Sequence, residues 1–398
     1  MKRSNDATEL AKRALVHFRE GTTDQADATM PLPVDAYLDG DRFAREFDAI
    51  FLRKPQALLL SIEIPEPGDY VARTIMEKPL LFVRGKDGVA RVFLNVCRHR
   101  GAKLCADGKG RAPRFVCPYH AWSYDRQGKL VGMYGKDKFG DADTDDLGLT
   151  ELASAERAGV VWATLTPGES FDIDEWLGDF AAELEKMELA DWYLFDQRTL
   201  PGPGWKVTMD GYLEAYHHDN VHANTLSKHT IGNLLVHDVF GRHQLLTMAR
   251  RNLPELDAMP EAEWDAGSYI RQIHCTFPNF QLSGIRGGHC LVSQIFPGPT
   301  PTESVTIQTI LSARKPETPE QQADSEAFSA MALEAVGSED YPIGFGIQAG
   351  LSSGANRAFL IGRNEPGLQH YHRMVAREAG GDIAPATRPT PILEGASA

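Results

Sequence analysis

Cysteine is scarce, with five in 398 residues. That number does not build a disulfide framework, so the fold must rest on a hydrophobic core. Positive charge is short as well: 41 Lys and Arg stand against 55 Asp and Glu, for a net charge of −14. A chain this acidic is not suited to nonspecific nucleic-acid binding. No apolar run approaches the ~20 residues that cross a bilayer. The opening MKRSNDATELAKRAL lacks the apolar centre of a secretion signal. The expectation is a cytoplasmic protein with no membrane or nucleic-acid partner. Internal repeats are also missing. The rest is ordinary: 42% hydrophobic and 24% charged residues, with length for two or three domains.

The few cysteines are unevenly placed. Between Asn95 and Tyr124, Cys97 and His99 form Cys-x-His; after seventeen intervening residues Cys117 and His120 form Cys-x-x-His. Each pair is close enough for one tight turn to present both ligands. Pro118 fixes backbone in the second turn, and Gly101, Gly108 and Gly110 loosen the chain between the two. Structural zinc sites usually pair Cys with Cys and His with His. One Cys and one His per loop suits a two-iron, two-sulfide cluster, with the thiolates on one iron and the imidazoles on the other. The flanking CRHRGA and CPYHAWSY resemble the cluster box of the Rieske non-heme iron oxygenases. Respiratory Rieske proteins carry an extra disulfide pair, for which Cys105 has no partner. Cys105, Cys275 and Cys290 read as buried small side chains.

In chain order, residues 1–45 read as helical, with Leu10, Ala14, Leu15 and Phe18 on one face. Pro31 and Pro33 break the pattern, and DGDRFAREFDAIF restarts it behind Asp39 or Asp41 as a cap. Alternating, β-branched segments separated by Pro-Gly, Lys-Pro and Lys-Asp-Gly turns follow from Leu52, and AGVVWATLT closes this all-β module at 46–166. FDIDEWLGDFAAELEKMEL predicts an amphipathic helix opening the next domain, 167–380, and the Gly-Pro-rich LPGPGW leads to its chemistry. Four strand-like stretches between HQLLTMARR and ESVTIQTILSAR, then a helix after PETPE, complete it. The last segment, 381–398, has no periodicity and reads as a mobile or docking tail.

The second chemical stretch is WKVTMDGYLEAYHHDNVHANTL. On one helix Asp210, Glu214 and His217 would share a face. His222 falls five residues after His217, so a widened turn or a helix end is needed to bring both imidazoles to one metal; His218 and His222 are the simple i, i+4 pair. Trp205-Lys206, Asp210-Gly211 and Glu214-Ala215-Tyr216-His217 with His222 resemble the iron motif of Rieske oxygenases. That resemblance implies His217 and His222 as ligands of a mononuclear Fe(II), with His218 a surface or pocket histidine. Gly211 departs from the family's Asn. In GSEDYPIGFGIQAGL, Asp340 stands eight residues before Gln348, as in the family, which implies Asp340 as the carboxylate ligand; Glu339 is expected to face solvent. Two His and one carboxylate leave open positions for oxygen and substrate. Glu214 is implied to bridge His217 to a cluster histidine of a neighbouring subunit, and Asp210 is counted with it as catalytic. Leu226, Ile231, Leu234, Leu235, Phe277, Phe280 and Phe345 are candidate pocket walls. The remaining histidines, His372 among them, carry no spacing signal.

The resemblance implies an α+β architecture: an N-terminal Rieske [2Fe-2S] domain and a C-terminal helix-grip (START-like) domain with an antiparallel sheet around a long helix. It implies a homotrimer or stacked trimers, and a separate reductase, with or without a ferredoxin, delivering NAD(P)H electrons. The expected activity is a terminal oxygenase that uses O2 on an aromatic or other apolar small organic substrate. A monooxygenase or demethylase acting on a methoxy or quaternary ammonium substrate such as choline or carnitine is the alternative. A Rieske electron carrier without catalysis would not need the second motif. A zinc-stabilised binding protein with a lipid-type cavity would hold no iron.

Overall fold

The computed structural model describes residues 6–141, 143–286 and 288–381, so the expected tail lies almost wholly outside the described residues. The N-terminal helix, Ala7–Glu20, starts at Asp6, whose carboxylate accepts the Thr8 N–H, and stops at Gly21 with φ 63°. Leu10, Ala11, Ala14 and Leu15 form its buried stripe, but Phe18 is 39% exposed and lies off it. Met30–Pro33, expected as a mere break, is a strand, antiparallel to Ala358–Ile361. Asp39 caps the helix Gly40–Glu46 by accepting the Arg42 N–H, and a π-helical stretch, Phe47–Leu52, continues it.

The first domain is all β. Its largest sheet runs Glu151–Leu152, Ala90–Leu94, Lys78–Arg84, Asp69–Ile75, Gly108–Arg111. The last strand occupies the stretch read as a loosened connection; Gly110 lies against the Tyr70 ring, where a Cβ would come within 3.0 Å. Two three-stranded sheets flank it. Strand side chains alternate between faces, and both faces of Lys78–Arg84 are covered. Leu80 and Phe82 enter one core with Leu58, Val92 and Val161. Leu81 and Val83 enter another with Cys97, Cys117, Trp122 and Tyr124. The second core is the floor on which the two Cys/His loops stand.

The second domain is mixed α and β. FDIDEWLGDFAAELEKMEL forms two short helices, Ile173–Leu177 and Phe180–Glu185, because Gly178 turns to φ 53° between them. LPGP is not a linker: Tyr193–Pro203 is an edge strand beside Glu303–Ser312. An edge position tolerates Pro201 and Pro203, which cannot donate to a ladder. From that edge a seven-stranded antiparallel sheet continues as a meander back to Thr230–Phe240. Pro319–Leu333, a π-helical Glu334–Asp340 and Tyr341–Leu351 form one helical run, whose Phe328, Ala332, Val336 and Tyr341 pack on Leu291 and Ile310 of the sheet. Among the described residues no helix is long and apolar enough to cross a membrane.

Candidate metal centres

The two loops of the first domain are closed by the same backbone hydrogen bonds. Cys97 N–H donates to Ala102 O and Gly101 N–H to Cys97 O; Cys117 N–H donates to Trp122 O and Ala121 N–H to Cys117 O. Both turns need a left-handed residue at the fifth position, Gly101 at φ 76° and Ala121 at φ 57°. Cys97 and Cys117 are both 2% exposed, while the histidines sit at the rim. His99 Nδ1 and His120 Nδ1 lie 3.1 Å apart, a gap that one metal at about 2.1 Å from each can span. Trp122 stacks on His99 with ring centroids 4.8 Å apart. The Tyr124 hydroxyl is 3.3 Å from Cys97 Sγ and accepts the Arg98 N–H. Burial, then the contact with Cys97, pushes its pKa up, so the phenol stays a donor. Buried thiols on one side and paired imidazoles on the other fit a two-iron cluster.

In the second domain the common helical face expected for Asp210, Glu214 and His217 does not form. The helix Trp205–Asp210 ends at Asp210, and 211–217 is irregular. Asp210 turns away and accepts from Tyr37 Oη at 2.6 Å, with His372 Nε2 at 2.8 Å. His372, read as ordinary, thus has a partner in the motif. Lys206 is buried and ion-paired to Glu46, and burial outweighs that pairing to bring its pKa down to about 8.

The imidazoles converge through a helix end. His218–Val221 is a single turn, flanked by His217 before it and His222 after it. His217 Nε2 and His222 Nε2 are 3.2 Å apart. Asp340 Oδ1 is 3.0 Å from His222 Nε2 and 3.6 Å from His217 Nε2. Three ligand atoms so placed occupy one side of a metal. The outer nitrogens are also held: His217 Nδ1 by Glu214 Oε1, and His222 Nδ1 by Glu339 Oε2 at 2.7 Å. Each carboxylate fixes a tautomer with Nε2 free to ligate. Glu339 is therefore not solvent-facing; it also accepts from Thr225 Oγ1. His218 is buried, its Nδ1 without a partner, and its ligand atom lies within 4.8 Å of those of His217 and His222. Asp340, with one oxygen 3.0 and 3.6 Å from the two Nε2 atoms, adds a carboxylate to the same group.

A cavity opens beside these residues. Its walls include Tyr212, Leu226, Ile273, Leu291, Phe328 and Val336, as well as His218 and His229. Of the expected pocket walls only Leu226 lies there. Leu234, Leu235, Phe277 and Phe280 are core, Ile231 packs against that core, and Phe345 is 47% exposed. Arg250 and Arg271 line it too, unmarked in the sequence except as basic residues bounding or interrupting apolar strands. Gly211 borders the cavity, and a Cβ there would meet only Thr208 O at 3.7 Å, so the missing Asn side chain leaves space.

Two protein families match the chain. The Rieske [2Fe-2S] domain family matches residues 54–142, and the ring hydroxylating alpha subunit (catalytic domain) family matches 189–381. Among curated relatives, the glycine betaine monooxygenase oxygenase subunit of Chromohalobacter salexigens is 31% identical over 230 residues, 56% of this chain and 50% of that protein. The carnitine monooxygenase oxygenase subunit of Escherichia coli K12 is 34% identical over 189 residues, 47% of this chain and 50% of that protein. The chain thus spans about half the length of the curated relatives it matches. The solved quaternary ammonium Rieske monooxygenase CntA with L-carnitine shares the fold at TM-score 0.77 and 23% identity, over 89% of this chain and 96% of that one. A naphthalene 1,2-dioxygenase variant also shares the fold, at TM-score 0.72 and 21% identity, over 90% of this chain and 94% of that one.

Proposed function

We propose, for a chain whose two matched domains class it with the Rieske-type non-heme iron oxygenase alpha subunits, that it is the terminal oxygenase of a multicomponent system. The observation that carries this is the convergence of His217, His222 and Asp340 beside an apolar cavity, in a chain that also presents Cys97, His99, Cys117 and His120. Bound at these sites, the cluster supplies single electrons and Fe(II) activates O2. The protein orients the candidate ligand imidazoles through Glu214 and Glu339, and walls the reacting space with Leu226, Ile273, Leu291 and Phe328.

Glu214 is suited to link two imidazoles. One oxygen faces His217 Nδ1, and the carboxylate borders a second cavity shared with Ile343, Ile347 and Glu365. Ile343 and Ile347 are exposed there, as are Phe345 on the same helix and Tyr119 and Val116 beside the cluster loops. These two apolar surfaces support the trimer reading, in which one subunit's cluster docks near its neighbour's Glu214. Electrons would come from NAD(P)H through a separate reductase, with or without a ferredoxin.

For the substrate, the relatives favour the quaternary ammonium alternative over the aromatic ring. Glycine betaine and carnitine enzymes stand in the sequence comparison and CntA in the fold comparison, alongside a chlorobenzene dioxygenase. Monooxygenation at an N-methyl or neighbouring carbon of a small quaternary ammonium compound is the proposed reaction. The test is turnover with a surrogate reductase under labelled oxygen, with iron and acid-labile sulfide measured on the same sample. His217→Ala should keep the cluster spectrum and lose labelled product. A variant that still forms product, or a protein without acid-labile sulfide, refutes the reading.

A further inference from the structure

The cavity beside the histidines contains a guanidinium nitrogen with no hydrogen-bond partner among the described residues. Arg271 lies two residues before Ile273 on the strand Ile270–Thr276, and both line that cavity. Arg271 Nη1 is sealed from solvent and has no hydrogen-bond partner. The acidic group whose charge acts on it is Asp340, whose oxygen already faces His217 and His222. A second guanidinium, Arg250, held by Ile270 O through its Nε, repels it from the neighbouring strand. Burial and that repulsion lower the pKa of Arg271 to about 10, which leaves it charged at neutral pH.

An unpaired buried guanidinium is costly in a finished core. In a ligand cavity it becomes a fork-shaped receptor for a carboxylate. The surroundings leave room for one. A Cβ on Gly284 would stand 4.0 Å from Arg271 Nε and 3.9 Å from the Phe328 ring, so the bare glycine keeps the space between guanidinium and ring open. Arg250, Arg271 and Ser283 also line a third cavity, which adjoins the one beside the histidines. The two guanidinium groups therefore stand where the cavities meet, at a position from which they would draw an anion inward.

We propose that the cavity takes a small carboxylate-bearing substrate, with the carboxylate on Arg271, Arg250 behind it, and the apolar or methylammonium end toward His217, His222 and Asp340. This rests on the oxygenase reading only in taking the cavity as the substrate site. A zwitterionic betaine and an aromatic carboxylic acid share the required chemistry, and the experiment separates them.

The test is calorimetric binding to cluster- and iron-loaded protein, so it does not depend on turnover. Glycine betaine is compared with choline, and benzoate with benzyl alcohol; each pair differs in the carboxylate. One carboxylate should bind about ten- to hundred-fold more tightly than its counterpart, the range expected for charge-assisted hydrogen bonds. Arg271→Met should abolish that preference, and Arg271→Lys should recover part of it. The Met variant should melt no lower than the parent, because it removes an unpaired charge. Equal affinity within both pairs, no binding by either carboxylate, or a preference that survives Arg271→Met overturns the proposal. A protein that turns over choline without preferring glycine betaine would sink this inference and leave the oxygenase intact. Carboxylate binding without labelled product would do the reverse.

Discussion

Replacing Glu339 with Ala isolates the contribution of one outer carboxylate to the iron site. In the intact protein Glu339 Oε2 lies 2.7 Å from His222 Nδ1 and accepts from Thr225 Oγ1. Removing it leaves His222 free to rotate or change tautomer, and takes a negative charge from behind a ligand. A hydrogen bond to a charged group contributes about 1.5–3 kcal/mol, and outer partners of metal-bound histidines typically alter affinity ~10–100-fold. Iron(II) affinity should therefore fall by about one to two orders of magnitude, measured by chelator competition on cluster-loaded protein. Glu339→Gln should fall between, since an amide oxygen still accepts but carries no charge. The cluster spectrum is the internal control, because Glu339 belongs to the other domain. If Glu339→Ala binds iron as tightly as the parent, the carboxylate does not position His222. If cluster and iron are lost together, the residue is structural and the reasoning is equally refuted.

Tyr124→Phe removes the hydroxyl 3.3 Å from Cys97 Sγ and should lower the cluster's reduction potential, read by spectroelectrochemistry, because hydrogen bonds to the sulfurs favour the reduced state; an unchanged potential refutes the donor role. Asp210→Asn weakens the bonds to Tyr37 and His372 and should cost about 1–3 kcal/mol in chemical denaturation while iron affinity is kept; loss of iron with stability unchanged would refute this structural role and favour the catalytic reading of Asp210. Gly159→Ala should cost roughly 1–3 kcal/mol, because φ is 73° and the new Cβ would stand 2.7 Å from Leu189 Cβ and 2.8 Å from Ala190 N; an unshifted melting temperature would show that this turn yields.

How much of this was legible from sequence depended on how locally each group is positioned. The pairing of the candidate cluster residues was legible because each loop brings its Cys and His together within a few residues, and Gly101 marks one left-handed turn. The second motif was legible as a list but not as a shape: Asp210, Glu214 and His217 have helical spacing, yet the chain unwinds after Asp210. Pattern alone did not register that His372, 162 residues away, already occupies that carboxylate. Arg271 was invisible for a similar reason, since an arginine in a strand becomes informative only when the opposite wall is known.

Glu339 and Asp340 pose the sharper case. Adjacent residues on an ordinary α-helix point about 100° apart, so one facing the metal argues that the other faces solvent. That inference fails because Glu334–Asp340 is π-helical. A wider turn holds more residues, so neighbours diverge less in direction, and such bulges recur at functional sites. Both carboxylates then reach the same imidazole from adjacent positions, Asp340 at Nε2 and Glu339 at Nδ1. The fold thus offers a candidate ligand and its orienting partner from two consecutive residues, and the signal for that is the helix's irregularity rather than its period.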